Sequence, residues 1–206
     1  MKNMKAYAIL SLLAGLLGMS NANADVIPYP TPGVANATTY TFTAASTGDI
    51  VAYFYGSSAG FTNDLSLLVN GVDTGIHGLN NHATAPGTSL NFGGVNAGDS
   101  LVFRMNNLSP GGIGPWYSQQ SLNSDGVNHI YATAFTDGTF AIPTGIFVAF
   151  EDLPGGGDFN YNDEDFVFVN VASPNVSVPE PASLVLLGLG LAGLGFSRRK
   201  MQKPAA

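Results

Sequence analysis

From about residue 39 to residue 171, short apolar or aromatic segments alternate with turns made of Gly, Asn, Asp and Pro. Segments of this kind are typical of β-strands, and no longer stretch between them repeats its apolar positions at the helical period. About nine such segments predict an all-β fold, an antiparallel β-sandwich or jelly roll. The predicted strands are residues 39–43, 50–55, 65–69, 89–92, 100–105, 128–135, 140–142, 146–150 and 165–171.

The turn composition supports the same fold. The chain contains 26 Gly and 12 Pro, more than average usage, and these residues punctuate strands more readily than helices. Asn70-Gly71 directly follows the 65–69 segment, and this dipeptide is a strong signal for a two-residue β-hairpin.

Cysteine content and charge exclude several function classes. The chain has no cysteine, which rules out disulfides, thiolate metal sites and cysteine nucleophiles. Between Asp25 and Val178, thirteen acidic residues stand against Arg104 alone, a formal charge of −12. Such a surface repels phosphate backbones and attracts cations, so nucleic acid is not an expected partner.

The first 24 residues have the composition of a secretory signal peptide, with basic residues before an apolar run. Ala22-Asn23-Ala24 is a small-residue cleavage site for signal peptidase, so we expect the mature chain to begin at Asp25. The alternative is an uncleaved membrane anchor, for which the apolar run is short.

A second apolar run lies near the other end of the sequence. A linker containing Pro and Ser, residues 173–178, precedes the charge-free segment 183–196, and Arg198, Arg199 and Lys200 follow. As a helix this segment is shorter than the ~20 residues that usually cross a bilayer, which predicts a weak transmembrane anchor. Basic residues stay on the cytoplasmic side, so the preceding domain should lie outside. A buried core helix is the alternative, although such a helix is normally amphipathic.

The order of these elements resembles the PEP-CTERM sorting signal. Val178-Pro179-Glu180-Pro181 contain the Pro-Glu-Pro tripeptide, and the apolar segment and the basic tail follow in the expected order. The resemblance implies cleavage near the tripeptide by a membrane-embedded exosortase, so that an inner-membrane-anchored precursor reaches the cell surface or the exterior. It also implies a Gram-negative bacterium that makes exopolysaccharide and biofilm. The predicted parts are a signal peptide, a secreted sandwich, a linker and a sorting signal, at residues 1–24, 25–172, 173–178 and 179–201.

The segment 151–165 holds six carboxylates and two Asn amides without a basic residue. Crowded carboxylates repel each other unless they are neutralised, and Ca²⁺ takes about six to eight oxygen ligands from carboxylates, amides and carbonyls. If residues 158–162 are extended, their polar side chains share one side, and glycines 155–157 allow the start of the segment to fold back toward them. The sequence therefore predicts Ca²⁺ as a cofactor, and a solvated acidic loop remains the alternative. The candidate ligands are Glu151, Asp152, Asp158, Asn160, Asn162 and Asp163.

Around this segment, about residues 100–171 resemble a secreted bacterial domain of unknown function. The likeness is carried by Phe-Glu-Asp-Leu at 150–153, by Asp-Phe-Asn-Tyr-Asn-Asp at 158–163 and by an Asn-x-Asp…His element at 123–129. Asn160 stands where the family often has an acid, and Glu164 and Asp165 intervene before Phe166. The resemblance implies a secreted β-rich domain without an established activity. We expect Asp125 or His129 to approach the acidic segment.

Trp116 and Tyr117 lie in a long irregular segment and are candidates for stacking on sugar rings. The alternative is that Trp116 fills one end of the sandwich. We therefore expect an exported, non-enzymatic surface or extracellular-matrix protein, stabilised by Ca²⁺ and with exopolysaccharide as a partner. A carbohydrate-binding module is the first alternative. A secreted glycoside hydrolase, which would need two carboxyls at a defined separation across a cleft, is the second.

Overall fold

The computed structural model describes residues 32–176. The expected signal peptide, the apolar helix 183–196 and the sorting signal 179–201 lie outside the described residues. No helix within residues 32–176 is long and apolar enough to cross a membrane. The strands are β1 (Phe42–Ala44), β2 (Gly48–Gly56), β3 (Asn63–Val69), β4 (Val72–Gly78), β5 (Ser89–Val95), β6 (Ser100–Asn107), β7 (Trp116–Tyr117), β8 (Ile130–Phe135), β9 (Gly145–Phe150), β10 (Glu164–Val169) and β11 (Val171–Ala172).

These strands form two antiparallel sheets. The first sheet has the order β11-β1-β6-β3-β4, with β7 paired to β6, and the second has the order β5-β2-β10-β9-β8. The inward side chains of both sheets form one apolar core, in which the rings of Phe103 and Phe168 stack with centroids 3.7 Å apart. The predicted all-β sandwich with antiparallel sheets is therefore confirmed.

Alternation along the strands decides which residues fill the core. Ile50, Ala52 and Phe54 of β2 are buried between the sheets, as expected when every second side chain points to the same face. The strands β9 and β10 are instead buried on both faces. Their outward side chains meet a second apolar cluster that includes Tyr161, so the segment between β9 and β10 covers part of the outer face of the second sheet.

The predicted hairpin at Asn70-Gly71 is confirmed. Both residues have positive φ, 50° and 79°, and Val69 pairs with Val72 across the turn. The strand β4 was not predicted, because its glycines and its mostly exposed side chains give no apolar signal.

One predicted strand is wrong. Residues 140–142 do not form a strand, because Thr139–Ala141 form a 3₁₀ turn in which Phe140 has a φ of 57°. In the predicted linker 173–178, Ser173 and Val176 form an isolated β-bridge outside the named strands and are only 7% and 8% exposed. Val176 belongs to the apolar core.

Strand ends from both sheets meet at one end of the sandwich. Asn63 begins β3 and pairs with Asn107, and Glu164 begins β10 and pairs with Phe150 at the end of β9. The sheets are joined here because Asn63 Nδ2 donates a 2.9 Å hydrogen bond to Asp152 Oδ2. We call this region the acidic end, defined by Asn63, Asp64, Asp152, Asp163 and Glu164.

Candidate functional site

The segment from Glu151 to Asp163 is folded back on itself and is not extended. Phe159 and Tyr161 have φ values of 52° and 51°, in the left-handed region, and glycines 155–157 also have positive φ. The condition under which the polar side chains of residues 158–162 would share one side, an extended backbone, is therefore not met. Tyr161 nevertheless points inward and is fully buried, and its hydroxyl accepts a 2.8 Å hydrogen bond from Asn36 N–H.

Glu151 holds this folded segment together. Its side chain is buried, and Oε1 accepts the main-chain N–H of Tyr161. The other oxygen, Oε2, is buried and has no hydrogen-bond partner among residues 32–176. Burial raises the pKa of Glu151 to about 8, and the charges of Asp163 and Asp158 act in the same direction.

Asp152 and Asp163 form a second contact inside the acidic end. Asp152 N–H donates a 2.8 Å hydrogen bond to Asp163 Oδ2, and Asp152 Oδ2 accepts from Asn63. Burial and the nearby charge of Asp152 raise the pKa of Asp163 to about 6, although the Asp152 N–H opposes that shift. Asp163 therefore binds a proton more readily than an isolated aspartate does.

The remaining candidate ligands are split between surface and interior. Asp158 is exposed, and its carboxylate accepts a 2.8 Å hydrogen bond from the Asn160 amide. Asn162 Oδ1 is buried and has no hydrogen-bond partner within the described part of the chain. Glu151, Asp152 and Asp163 therefore lie toward the interior. Asp158 and Asn160 contact each other near the surface and do not point toward those three carboxyls.

Glu164 was absent from the predicted ligand set. It lies on the inward face of β10, next to Phe150 of β9, and it is 0% exposed. Neither of its carboxylate oxygens has a hydrogen-bond partner among residues 32–176. Burial raises its pKa well above the usual range, and the charges of Asp64, Asp165, Asp152 and Asp163 add to the effect. The missed signal was that Glu164, Phe166 and Phe168 occupy every second position of one strand, which indicates that the Glu164 side chain points inward with the two rings.

Asp125 and His129 approach the acidic segment, as expected from the sequence. His129 Nε2 lies 2.9 Å from Asp125 Oδ2, and His129 Nδ1 lies 2.9 Å from the carbonyl oxygen of Glu151. Asp125 Oδ2 also accepts a 2.8 Å hydrogen bond from Gly155 N–H. Burial works to raise the pKa of Asp125, but main-chain N–H groups and His129 outweigh it and lower that pKa. This pair ties the glycine turn to the start of β8.

Trp116 is a structural residue. Its side chain is 1% exposed, its ring stacks on His129 with centroids 3.9 Å apart, and its Nε1–H donates a 2.8 Å hydrogen bond to the Asp152 carbonyl. The expectation that Trp116 stacks on a sugar is therefore wrong, because neither ring face reaches solvent. Its position matches the alternative, in which it fills one end of the sandwich.

Tyr117 faces outward and is half-buried on the first sheet. It lines a depression of about 360 Å³ together with Leu68, Val102 and Leu122. Tyr117 pairs with Arg104, which lines a neighbouring groove of about 350 Å³. In that groove Arg104 Nη2 lies 2.6 Å from Asp73 Oδ2. The hydrogen bond from Gly75 N–H, together with Arg104, lowers the pKa of Asp73.

Within residues 32–176, no three His, Asp or Glu side chains are arranged to hold a metal ion. A cation at the acidic end would therefore need amide and main-chain oxygens in addition to carboxylates, a combination that Ca²⁺ accepts.

The comparisons with known proteins agree with both resemblances. Residues 177–200 match the family model of the PEP-CTERM protein-sorting motif, and residues 84–171 match that of a domain of unknown function, DUF4114. No curated protein and no solved structure matches the chain. The second match runs from residue 84, ahead of β5, to Val171 at the start of β11, and it includes the whole acidic segment.

Proposed function

We propose that this chain, an exosortase-sorted extracellular protein by its PEP-CTERM motif, is a non-enzymatic component of the cell surface or of the exopolysaccharide and biofilm matrix. The sorting motif carries the export part of the proposal. The matrix role is supported by how the carboxylates are used, because Glu151 and Asp125 accept main-chain N–H groups and hold turns in place. Carboxylates that tie a loop down in this way contribute to structure rather than to turnover of a substrate.

The sorting part is tested by following the precursor in the bacterium that produces it. Glu180→Ala, or deletion of residues 179–206, should leave the protein unprocessed or change its membrane retention. Gln202→Ala, outside the tripeptide and the apolar segment, is the matched control and should behave as the wild type. Identical fractionation of wild type and Glu180→Ala would contradict the proposal.

We also propose that Ca²⁺ stabilises the acidic segment. The support is the concentration of buried oxygen atoms there, together with the excess of acids over the single Arg104 in the exported part of the chain. Affinity in the range of extracellular modules, on the order of 10⁻⁴–10⁻³ M, would suffice outside the cell. Thermal melts of the full chain in detergent, with Ca²⁺, Mg²⁺ or EDTA, test this. Equal melting temperatures in Ca²⁺ and in EDTA would contradict stabilisation by Ca²⁺.

Carbohydrate binding by the outer face of the first sheet is a second candidate. It is favoured by the two adjoining depressions, which present Tyr117 beside the Arg104–Asp73 pair. An aromatic ring with oriented polar groups suits a neutral polyhydroxyl ligand. Pull-down on exopolysaccharide should weaken for Tyr117→Ala, whereas Tyr53→Ala on the second sheet serves as the control. Equal retention of wild type and Tyr117→Ala would exclude this surface.

A further inference from the structure

Glu164 is placed where a carboxylate is not expected to persist alone. Glu164, Phe166 and Phe168 lie at alternate positions of β10, and the two phenylalanines belong to the core between the sheets. The carboxylate enters that core beside Phe150 and is 0% exposed. A buried carboxylate is costly unless it gains a counter-charge and hydrogen bonds.

The surroundings of Glu164 raise that cost. The four neighbouring charges that act on it, Asp64, Asp152, Asp163 and Asp165, are all acidic. Its two oxygens lack hydrogen-bond partners anywhere in residues 32–176. The side chain is therefore left with two ways to lose its charge, a bound proton or a bound cation.

A second buried oxygen lies at the same end. Asn63 Nδ2 is engaged with Asp152, and Asn63 N–H is engaged with Asn81, but Asn63 Oδ1 has no partner in the described structure. The hydrogen bond to Asp152 fixes the orientation of the Asn63 amide, so its oxygen is held in place without a hydrogen-bond donor in the described structure. An oriented amide oxygen near carboxylates is a usual element of a Ca²⁺ site, and the O–H of a protonated carboxyl would use the same oxygen as an acceptor, so the experiment below has to separate the two.

We propose that the interior of the acidic end binds one divalent cation of the Ca²⁺ class, with Glu164 as its central ligand and Asn63 Oδ1 as an amide ligand. Asp152, main-chain oxygens and water complete the set, which agrees with the lack of any three-acid group in residues 32–176. The donors are all hard oxygens, which favours Ca²⁺ over zinc or copper. The inference rests on the proposed stabilisation by Ca²⁺ and moves the site from the exposed side chains to the interior.

The site has an internal reporter. Trp116 is the only tryptophan of the chain, and its indole donates a hydrogen bond to the carbonyl of Asp152. Binding of a cation beside Asp152 should therefore change the tryptophan fluorescence. Terbium, which replaces Ca²⁺ in oxygen sites, should luminesce on excitation of Trp116, and added Ca²⁺ should suppress that emission.

The experiment compares Glu164→Gln with Asp158→Asn in the full chain after EDTA treatment. Glutamine keeps the shape of Glu164, and Asp158 is an exposed acid of the same segment. With about 10 mM Ca²⁺ the wild type and Asp158→Asn should melt about 3–10 °C higher than in EDTA. Glu164→Gln should show no Ca²⁺ shift and no terbium emission.

Each outcome decides between the proposals. A Ca²⁺ shift that is kept by Glu164→Gln and lost by Asp158→Asn places the ion on the exposed segment, which overturns the inference and leaves stabilisation by Ca²⁺ standing. If the melting temperature of the wild type does not change with Ca²⁺, both the inference and stabilisation by Ca²⁺ are overturned. Glu164 is then neutralised by a bound proton. If Glu164→Gln does not fold, Asn63→Ala decides by fluorescence titration. An affinity about tenfold weaker supports the site, and an unchanged affinity contradicts it.

Discussion

Replacing Glu151 with glutamine should flatten the pH dependence of stability. The folded protein raises the pKa of Glu151 from 4.5 to about 8, mainly by burial. The folded state therefore holds the proton where the unfolded chain has already lost it. The contribution of Glu151 to stability is fully present below the unfolded pKa and is lost as the pH rises toward the folded pKa.

The expected size follows from the two pKa values. Proton linkage for a carboxyl shifted from 4.5 to about 8 gives a loss of about 3–4 kcal/mol in unfolding free energy between pH 5 and pH 8. Asp163, whose pKa is raised to about 6, adds to the loss in the same direction. The wild type should thus lose a large part of a typical domain's stability over this range when no cation is present.

Urea unfolding in EDTA, followed by the fluorescence of Trp116 at pH 5, 6.5 and 8, measures this dependence. Glu151→Gln should remove most of the slope, since glutamine keeps the acceptor for Tyr161 N–H but does not titrate. Asp49→Asn, which changes an exposed acid on β2, should leave the slope unchanged. Equal slopes in the wild type and in Glu151→Gln would refute the argument from burial.

Two further changes test the packing that positions the site. Gly145→Ala should lower the unfolding free energy by about 1–3 kcal/mol or more, because the added Cβ would overlap the Phe168 carbonyl oxygen. Gly56→Ala meets open space and should be nearly neutral in the same urea titration. Trp116→Phe should cost about 1–3 kcal/mol, measured by thermal melts with circular dichroism, because the Asp152 carbonyl loses its buried donor. A neutral Trp116→Phe would show that this hydrogen bond contributes little.

The sequence predicts the fold well where strands have a strong apolar or turn signal. Buried strands such as β9, and the hairpin turn at Asn70-Gly71, are predictable from the residue types in the segment. The strand β4 does not, because it pairs through its main chain while its side chains remain mostly exposed. The error at Phe140 has a conformational origin, since a left-handed φ at an aromatic residue has no local sequence signal.

The candidate site was predicted in part for a similar reason. Glu151, Asp152 and Asp163 were found because acids crowd the segment, and all three turn inward. The direction of each side chain depends on the left-handed residues Phe159 and Tyr161, which composition does not show. Glu164 was treated as part of an insertion before the last long strand, and only the register with Phe150 places it inside the sandwich.

The most direct test of the account is the intact mass of the protein recovered from outside the producing cells. We predict a chain that begins at Asp25 and ends close to Pro179-Glu180-Pro181, and we predict that the longer precursor accumulates in the membrane when exosortase is deleted. A full-length chain of 206 residues found in the cytosol, unchanged by loss of exosortase, would contradict it.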